Sequence, residues 1–239
     1  MNVTVRFDAL YEWAIPPEKV KLPRSAERET GELYQRNFRY QRHVRRAGAC
    51  PPWVLGQELG WIVRCPIDVT LTPVDDVQFG TTDNDASNGD SNGDPGTGEA
   101  DLAAVGRMLN RPEVWRRGQG WLATPRTDWL RFHQFKNQRG AWEGMFVPNG
   151  EGSVEWRLGW SASIPADMFL LITGLDTPCG LEIPTGVLPA RHVNATADGP
   201  GMSLAVRPHQ ATRLTRGAPL ARIVLLHRAS LQATTHEVA

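Results

Sequence analysis

Lysine is nearly missing from this chain of 239 residues: only Lys19, Lys21 and Lys136 occur, so its positive charge is almost all arginine. The reading that comes first is codon bias of a GC-rich genome; a demand for anion-binding guanidinium forks comes second. Surplus charge of either sign is also missing. The formal net charge is zero, which removes the long-range field that would draw in nucleic acid or an anionic membrane. No apolar stretch approaches the roughly 20 residues needed to span a bilayer. The opening "MNVTVRFDALYEW" has no basic stretch followed by an apolar run. These absences predict a cytoplasmic protein that contacts neither membrane nor nucleic acid.

Cysteine is scarce as well. Cys50, Cys65 and Cys179 are odd in number and include no C-x-x-C pair, so zinc lacks its usual close ligand pairs. In a reducing compartment the expectation is free, buried thiols acting as small hydrophobes. A Cys50–Cys65 disulfide, which the spacing allows, is the alternative. Serine-nucleophile elbows, phosphate loops and dinucleotide fingerprints are all missing, so no motif implies a cofactor.

What is present is β-rich. Hydrophobic residues make up 41% and charged residues 22%, an ordinary balance for a chain that buries a full core. "MNVTVRFDAL" alternates Val3, Val5 and Phe7 with polar neighbours, as a half-buried strand does. Ser25 to Arg46 reads as one helix, or two broken near Gly31, carrying Arg36, Arg39, Arg42, Arg45 and Arg46 along one face. "PPWVLGQELG" predicts a short helix entered through proline and closed by Gly60. "WIVRCPIDVTLTP" then predicts one strand with Trp61, Val63, Cys65, Ile67, Val69 and Leu71 on a single face. Pro66 places that strand at a sheet edge or on a bulge. Residues 80–101 lack aromatics and are rich in Gly, Asn, Asp and Ser, which predicts a disordered or mobile insertion.

A short helix is expected at "LAAVGRMLNR". Beyond Trp115, runs such as "GWLATP", "WLRFHQF", "SVEWRLGWSASIP", "MFLLITGL" and "PLARIVLLHR" recur about every ten residues between Gly and Pro turns. "MFLLITGL", apolar on both faces, reads as a central strand. The expected architecture is a single domain over 1–239. Residues 1–79 form a strand–helix–strand part, 80–101 the insertion, and 102–239 the core. In class it is mainly β with a minor helical N-terminal part (α+β). The core is a compact antiparallel β sandwich or barrel, β-clip or jelly-roll-like, decorated by one or two helices.

Candidate chemistry lies in the same half. Six tryptophans fall between Trp115 and Trp160, and tryptophan serves both cores and binding surfaces because its indole N–H wants a partner. A small molecule is the expected ligand. Its binding residues are expected to be Trp61, Arg131, Trp142, Trp156, Trp160 and Arg191, lining an indole-walled hollow at one end of the β unit. Trp156 and Trp160 share strand parity and should face the same way. His133, Glu143 and His192 are the expected acid–base groups. Arg191 and His192, being adjacent, would point apart on a strand and together only in a turn. Two histidines separated by one residue with a glutamate shortly after, the usual jelly-roll metal set, do not occur. Three readings of function stand: a small-molecule-binding protein or biosynthetic enzyme, a non-catalytic interaction protein, and a metal-dependent cupin-like enzyme.

Three stretches, "CPPWVLGQELGWIVRCPIDV", "GWSASIPADMFLLITG" and "RLTRGAPLARIVLLHRASLQ", together resemble an uncharacterised bacterial domain-of-unknown-function family. That resemblance brings no settled reaction and no catalytic residues. "IPADMFLLITGLDTPCGLEIP" followed by "LTRGAPLARIVLL" also looks like the β-rich fold of dUTPases and dCTP deaminases. It implies a compact, mostly antiparallel β unit with glycine turns. The serine-containing phosphate motif of those enzymes is absent, so their chemistry does not follow.

Overall fold

Ser203–Pro208, "SLAVRP", shows how the strands of this protein form: Leu204, Val206 and Pro208 are buried while Ser203, Ala205 and Arg207 lie partly in solvent. One apolar side chain at every second position gives the strand a single face to hide. Ser153–Arg157 does the same beside it, with Val154 paired to Val206 and Trp156 to Leu204. These two strands lie at the centre of an antiparallel sheet, flanked by Leu181–Glu182 and Phe146–Gly150. A second antiparallel sheet runs in the order Gly186–Pro189, Met168–Gly174, Pro219–His227, Trp61–Arg64. The computed structural model describes residues 3–20, 51–79, 97–117, 120–175 and 180–233.

Leu170, Ile172 and Ile223 from the second sheet and Val154, Trp156 and Leu204 from the first belong to one hydrophobic core. The two sheets thus share their buried faces as a sandwich does. Neither closes on itself, so the barrel alternative is set aside for the described strands. Met168–Gly174 is central, as its two-sided apolar sequence requires, between Gly186–Pro189 and Pro219–His227. Arg6–Ala9 pairs with Trp160–Ser163. A three-stranded sheet, with Gly120–Thr124 between Val77–Phe79 and Glu113–Arg117, adds a further layer.

The run 61–71 departs from the single strand expected of it. It forms two strands: Trp61–Arg64 in the second sheet, and Val69–Leu71 paired with Thr212–Leu214. Pro66 interrupts them, since it has no amide to give a ladder. The inward periodicity survives the break: Val63, Cys65, Val69 and Leu71 are all buried. Cys65 donates its thiol to the Ile67 carbonyl at 2.9 Å, and burial pushes that thiol up to about 11. Pro51–Glu58 is helical, and Gly60 follows it with φ +75°, the conformation that a terminating glycine supplies.

Two further expectations shift. The helix Thr97–Met108 begins inside the span 80–101 expected to be disordered or mobile, whose residues 80–96 lie outside the described residues. "WLRFHQF" is not one strand: Asp128–Phe132 is helical and Gln134–Lys136 forms a hairpin with Trp142–Gly144. The helix expected over 25–46 with its arginines, and Cys50 and Cys179, lie outside the described residues.

Candidate functional site

The Val69–Leu71 strand buries Val69 and Leu71, so Thr70 between them must face outward. The Asp128–Phe132 helix packs against this strand and against Phe146–Gly150. It turns Trp129 and Leu130 into the core and leaves Asp128, Arg131 and Phe132 outside. Trp129 Nε1 donates to Thr72 Oγ1 at 3.0 Å and ties helix to strand. Between them opens a depression of about 490 Å³, lined by Thr70, Thr72, Arg126, Thr127, Asp128, Trp129, Phe132 and His133. Its size falls within the roughly 300–1,000 Å³ typical of small-ligand sites.

His133 caps the C-terminus of the helix, and its Nδ1 lies 2.9 Å from the Trp129 carbonyl oxygen. A carbonyl only accepts, so Nδ1 carries the proton, and in the neutral ring the lone pair falls on Nε2. Nε2 has no partner among the described residues. The ring stands edge-on to buried Phe146 at 5.6 Å, and the His133 carbonyl accepts the Met145 amide, which fixes the backbone that carries the ring. Phe132, 70% exposed, forms an apolar lip.

The charges around the depression divide sharply. Arg131 pairs with Glu113 at 3.1 Å. Burial raises the Glu113 pKa, while Arg131 and, less strongly, Arg126 pull it back. Arg126 and Asp128 line the depression, yet neither makes a hydrogen bond or ion pair with any described residue. Thr127, between them, is fixed by donating to the Pro125 carbonyl at 3.2 Å.

Of the nine residues expected from the sequence, His133 alone lines this depression. Glu143 is fully engaged elsewhere, accepting from Asn137 Nδ2 at 2.6 Å and from Arg157 Nη1 at 2.7 Å. It lies close to Tyr11, whose hydroxyl pKa is raised by burial first and by the Glu143 charge second. His192 and Arg191 stand exposed on a short helix, Ala190–Asn194, that turns Ala190 and Val193 inward. Arg131 is committed to Glu113. The indoles do not wall one hollow. Trp156 and Trp160 are 0% and 1% exposed, on separate strands parted by Gly159, and both belong to the core. Trp61 is half-buried, edge-on to Phe7 at 5.4 Å with the Lys19 ammonium 4.2 Å from its ring centre. Trp142 is 65% exposed on the far hairpin strand. The physical reason is that parity fixes which side of a strand an indole takes, while the element crossing that side decides whether it meets core or water.

Sequence reasoning missed Thr70, Thr72, Arg126, Asp128 and Phe132. One signal pointed to the helix that carries Asp128: "TPRTDW" sets Thr127 before Asp128, a polar residue then an acid at the start of a helix. Among the described residues no three His, Cys, Asp or Glu side chains are grouped as metal ligands, and no helix is long and apolar enough to cross a membrane. Comparison with protein-family models, curated proteins and solved structures gives no match.

Proposed function

We propose that this chain is a small-molecule-binding protein whose site is the depression between the Val69–Leu71 strand and the Asp128–Phe132 helix. The observation that carries the reading is His133. Its Nδ1 is engaged by the Trp129 carbonyl while Nε2 has no partner among the described residues, at the edge of a concavity whose rim carries two charges unpaired among those residues and an exposed aromatic lip. A polar residue held rigidly with one unused nitrogen is suited to accept a hydrogen bond or a proton from a bound molecule. Thr70 and Thr72 add hydroxyls on the opposite wall, and Trp129 and Phe132 supply apolar contact. The test is a metabolite screen by calorimetry, with every hit repeated on Phe132→Ser and His133→Ala. Hits should weaken at least about tenfold in both variants and stay unchanged in Arg191→Ala and His192→Ala. Hits indifferent to Phe132 and His133 would refute the site.

A second reading, a protein-contact face, draws on Phe132 and Trp142. They are strongly exposed, and the helix that bears Phe132 packs against the hairpin strand of Trp142. Loss of ligand binding in Phe132→Ser but not in Trp142→Ser favours the first reading.

A further inference from the structure

Arg126 and Asp128 are two exposed charges on the rim of the depression. They stand two residues apart, and neither pairs with the other or with any other described residue. Other charges nearby are satisfied, Arg131 by Glu113 and Arg157 by Glu143. Arg126 influences Glu113 only through its field, lowering the pKa that burial raises. The connection between the two charges is rigid, because Thr127 is buried, bonds back to Pro125, and accepts the Leu130 and Arg131 amides on its carbonyl. The depression thus presents a positive point, a negative point and, from Phe132 and Trp129, an apolar surface.

A ligand with one charge would satisfy one point and leave the other facing it with the wrong sign. A neutral apolar ligand would strip water from both and return nothing, and a neutral polar one would return hydrogen bonds without opposite charge. A molecule that carries an anion and a cation together, with an apolar remainder, complements all three features. We infer that the depression binds a free zwitterionic amino acid with an apolar or aromatic side chain. Its carboxylate lies toward Arg126, its ammonium toward Asp128 and its side chain against Phe132. A planar carboxylate matches the guanidinium fork of Arg126, and the ammonium offers three donors to Asp128. His133 Nε2 remains on the same rim as an acceptor for the substrate's own N–H groups.

This inference rests on the depression being the ligand site, and one experiment separates the two. L-Phenylalanine, L-leucine, L-phenylalaninamide, N-acetyl-L-phenylalanine and 3-phenylpropanol are titrated into the full chain. Binding is followed by calorimetry, and its location by the ring resonances of His133. The amino acids should bind and shift His133, with the amide and the N-acetyl compound each about tenfold weaker. Arg126→Gln should then bind acid and amide alike, and Asp128→Asn should bind free and acetylated amine alike. Both substitutions are at exposed positions, so neither threatens folding. If amide, acetyl compound or alcohol shifts His133 as strongly as the amino acids do, the zwitterion is refuted while the site stands. If His133 is unmoved by every compound, the site reading falls and the zwitterion with it.

Discussion

Replacing Glu143 with glutamine should cost stability and leave ligand binding untouched. The carboxylate accepts at both oxygens, from Asn137 Nδ2 at 2.6 Å and Arg157 Nη1 at 2.7 Å. Asn137 in turn accepts the Arg139 and Ala141 amides at 2.9 Å on its Oδ1, so it holds the turn of the 134–144 hairpin. Glu143 therefore fastens that turn to the Ser153–Arg157 strand. Glutamine has the same shape but one oxygen and one amide nitrogen. Whichever way it is placed, one contact becomes donor facing donor. The Arg157 Nε is already buried without a partner, so its guanidinium has nothing to fall back on except Gly144 O at 3.1 Å. A charge-assisted hydrogen bond contributes about 1.5–3 kcal/mol. With the two side chains 28% and 21% exposed, solvent screening brings the expected loss to about 2 kcal/mol. In a chain of this length that is roughly 4–8 °C in Tm. Urea unfolding gives the number, and a double-mutant cycle with Arg157→Met isolates the pair, whose coupling should exceed about 1 kcal/mol. Stability within about 0.5 kcal/mol of the parent, combined with lost binding of any ligand at the depression, would refute the reasoning and return Glu143 to the site.

Two further outcomes follow from local geometry. Gly60→Ala forces a side chain onto φ +75° and sets its Cβ against the Ile223 carbonyl and the Val224 side chain, so it should cost about 3 kcal/mol in urea unfolding. A loss under about 1 kcal/mol would mean that this close approach does not exist. Cys65, wholly buried, should resist thiol reagents at pH 8 in the native Cys50→Ser/Cys179→Ser protein and react on unfolding. Because its folded pKa is raised from the ordinary 9.0 to about 11, the unfolded thiol ionises first. Stability should then fall by about 2 kcal/mol as pH climbs through that interval. Cys65→Ala should remove that part of the alkaline slope, and an unchanged slope would disprove it.

Much of the scaffold was readable because burial on one side of a strand writes itself as alternation. Ser203–Pro208 keeps strict order, Met168–Ile172 is apolar on both faces in a strand paired on both edges, and Gly60 marks its helix end. The 61–71 run kept its periodicity but hid its break, since Pro66 announces an interrupted ladder without saying that the next strand joins another sheet. The depression was almost illegible. Its helix spans five residues, too few for a periodic signal, and its apolar letters match those of a short strand. His133 was picked out because histidine is rare and chemically versatile, whereas threonines and one arginine among many carry no such mark.

Sequence alone determined that this is an antiparallel, β-rich molecule with its turns set by glycine and proline, because alternation and φ preference act over a few neighbouring residues. The tertiary structure decided which charges have partners. Glu143 meets Arg157 across fourteen residues and Glu113 meets Arg131 across eighteen, while Arg126 and Asp128, almost adjacent, pair with no described residue. Pairing is a matter of distance in space, and that distance is set only once the sheets have packed.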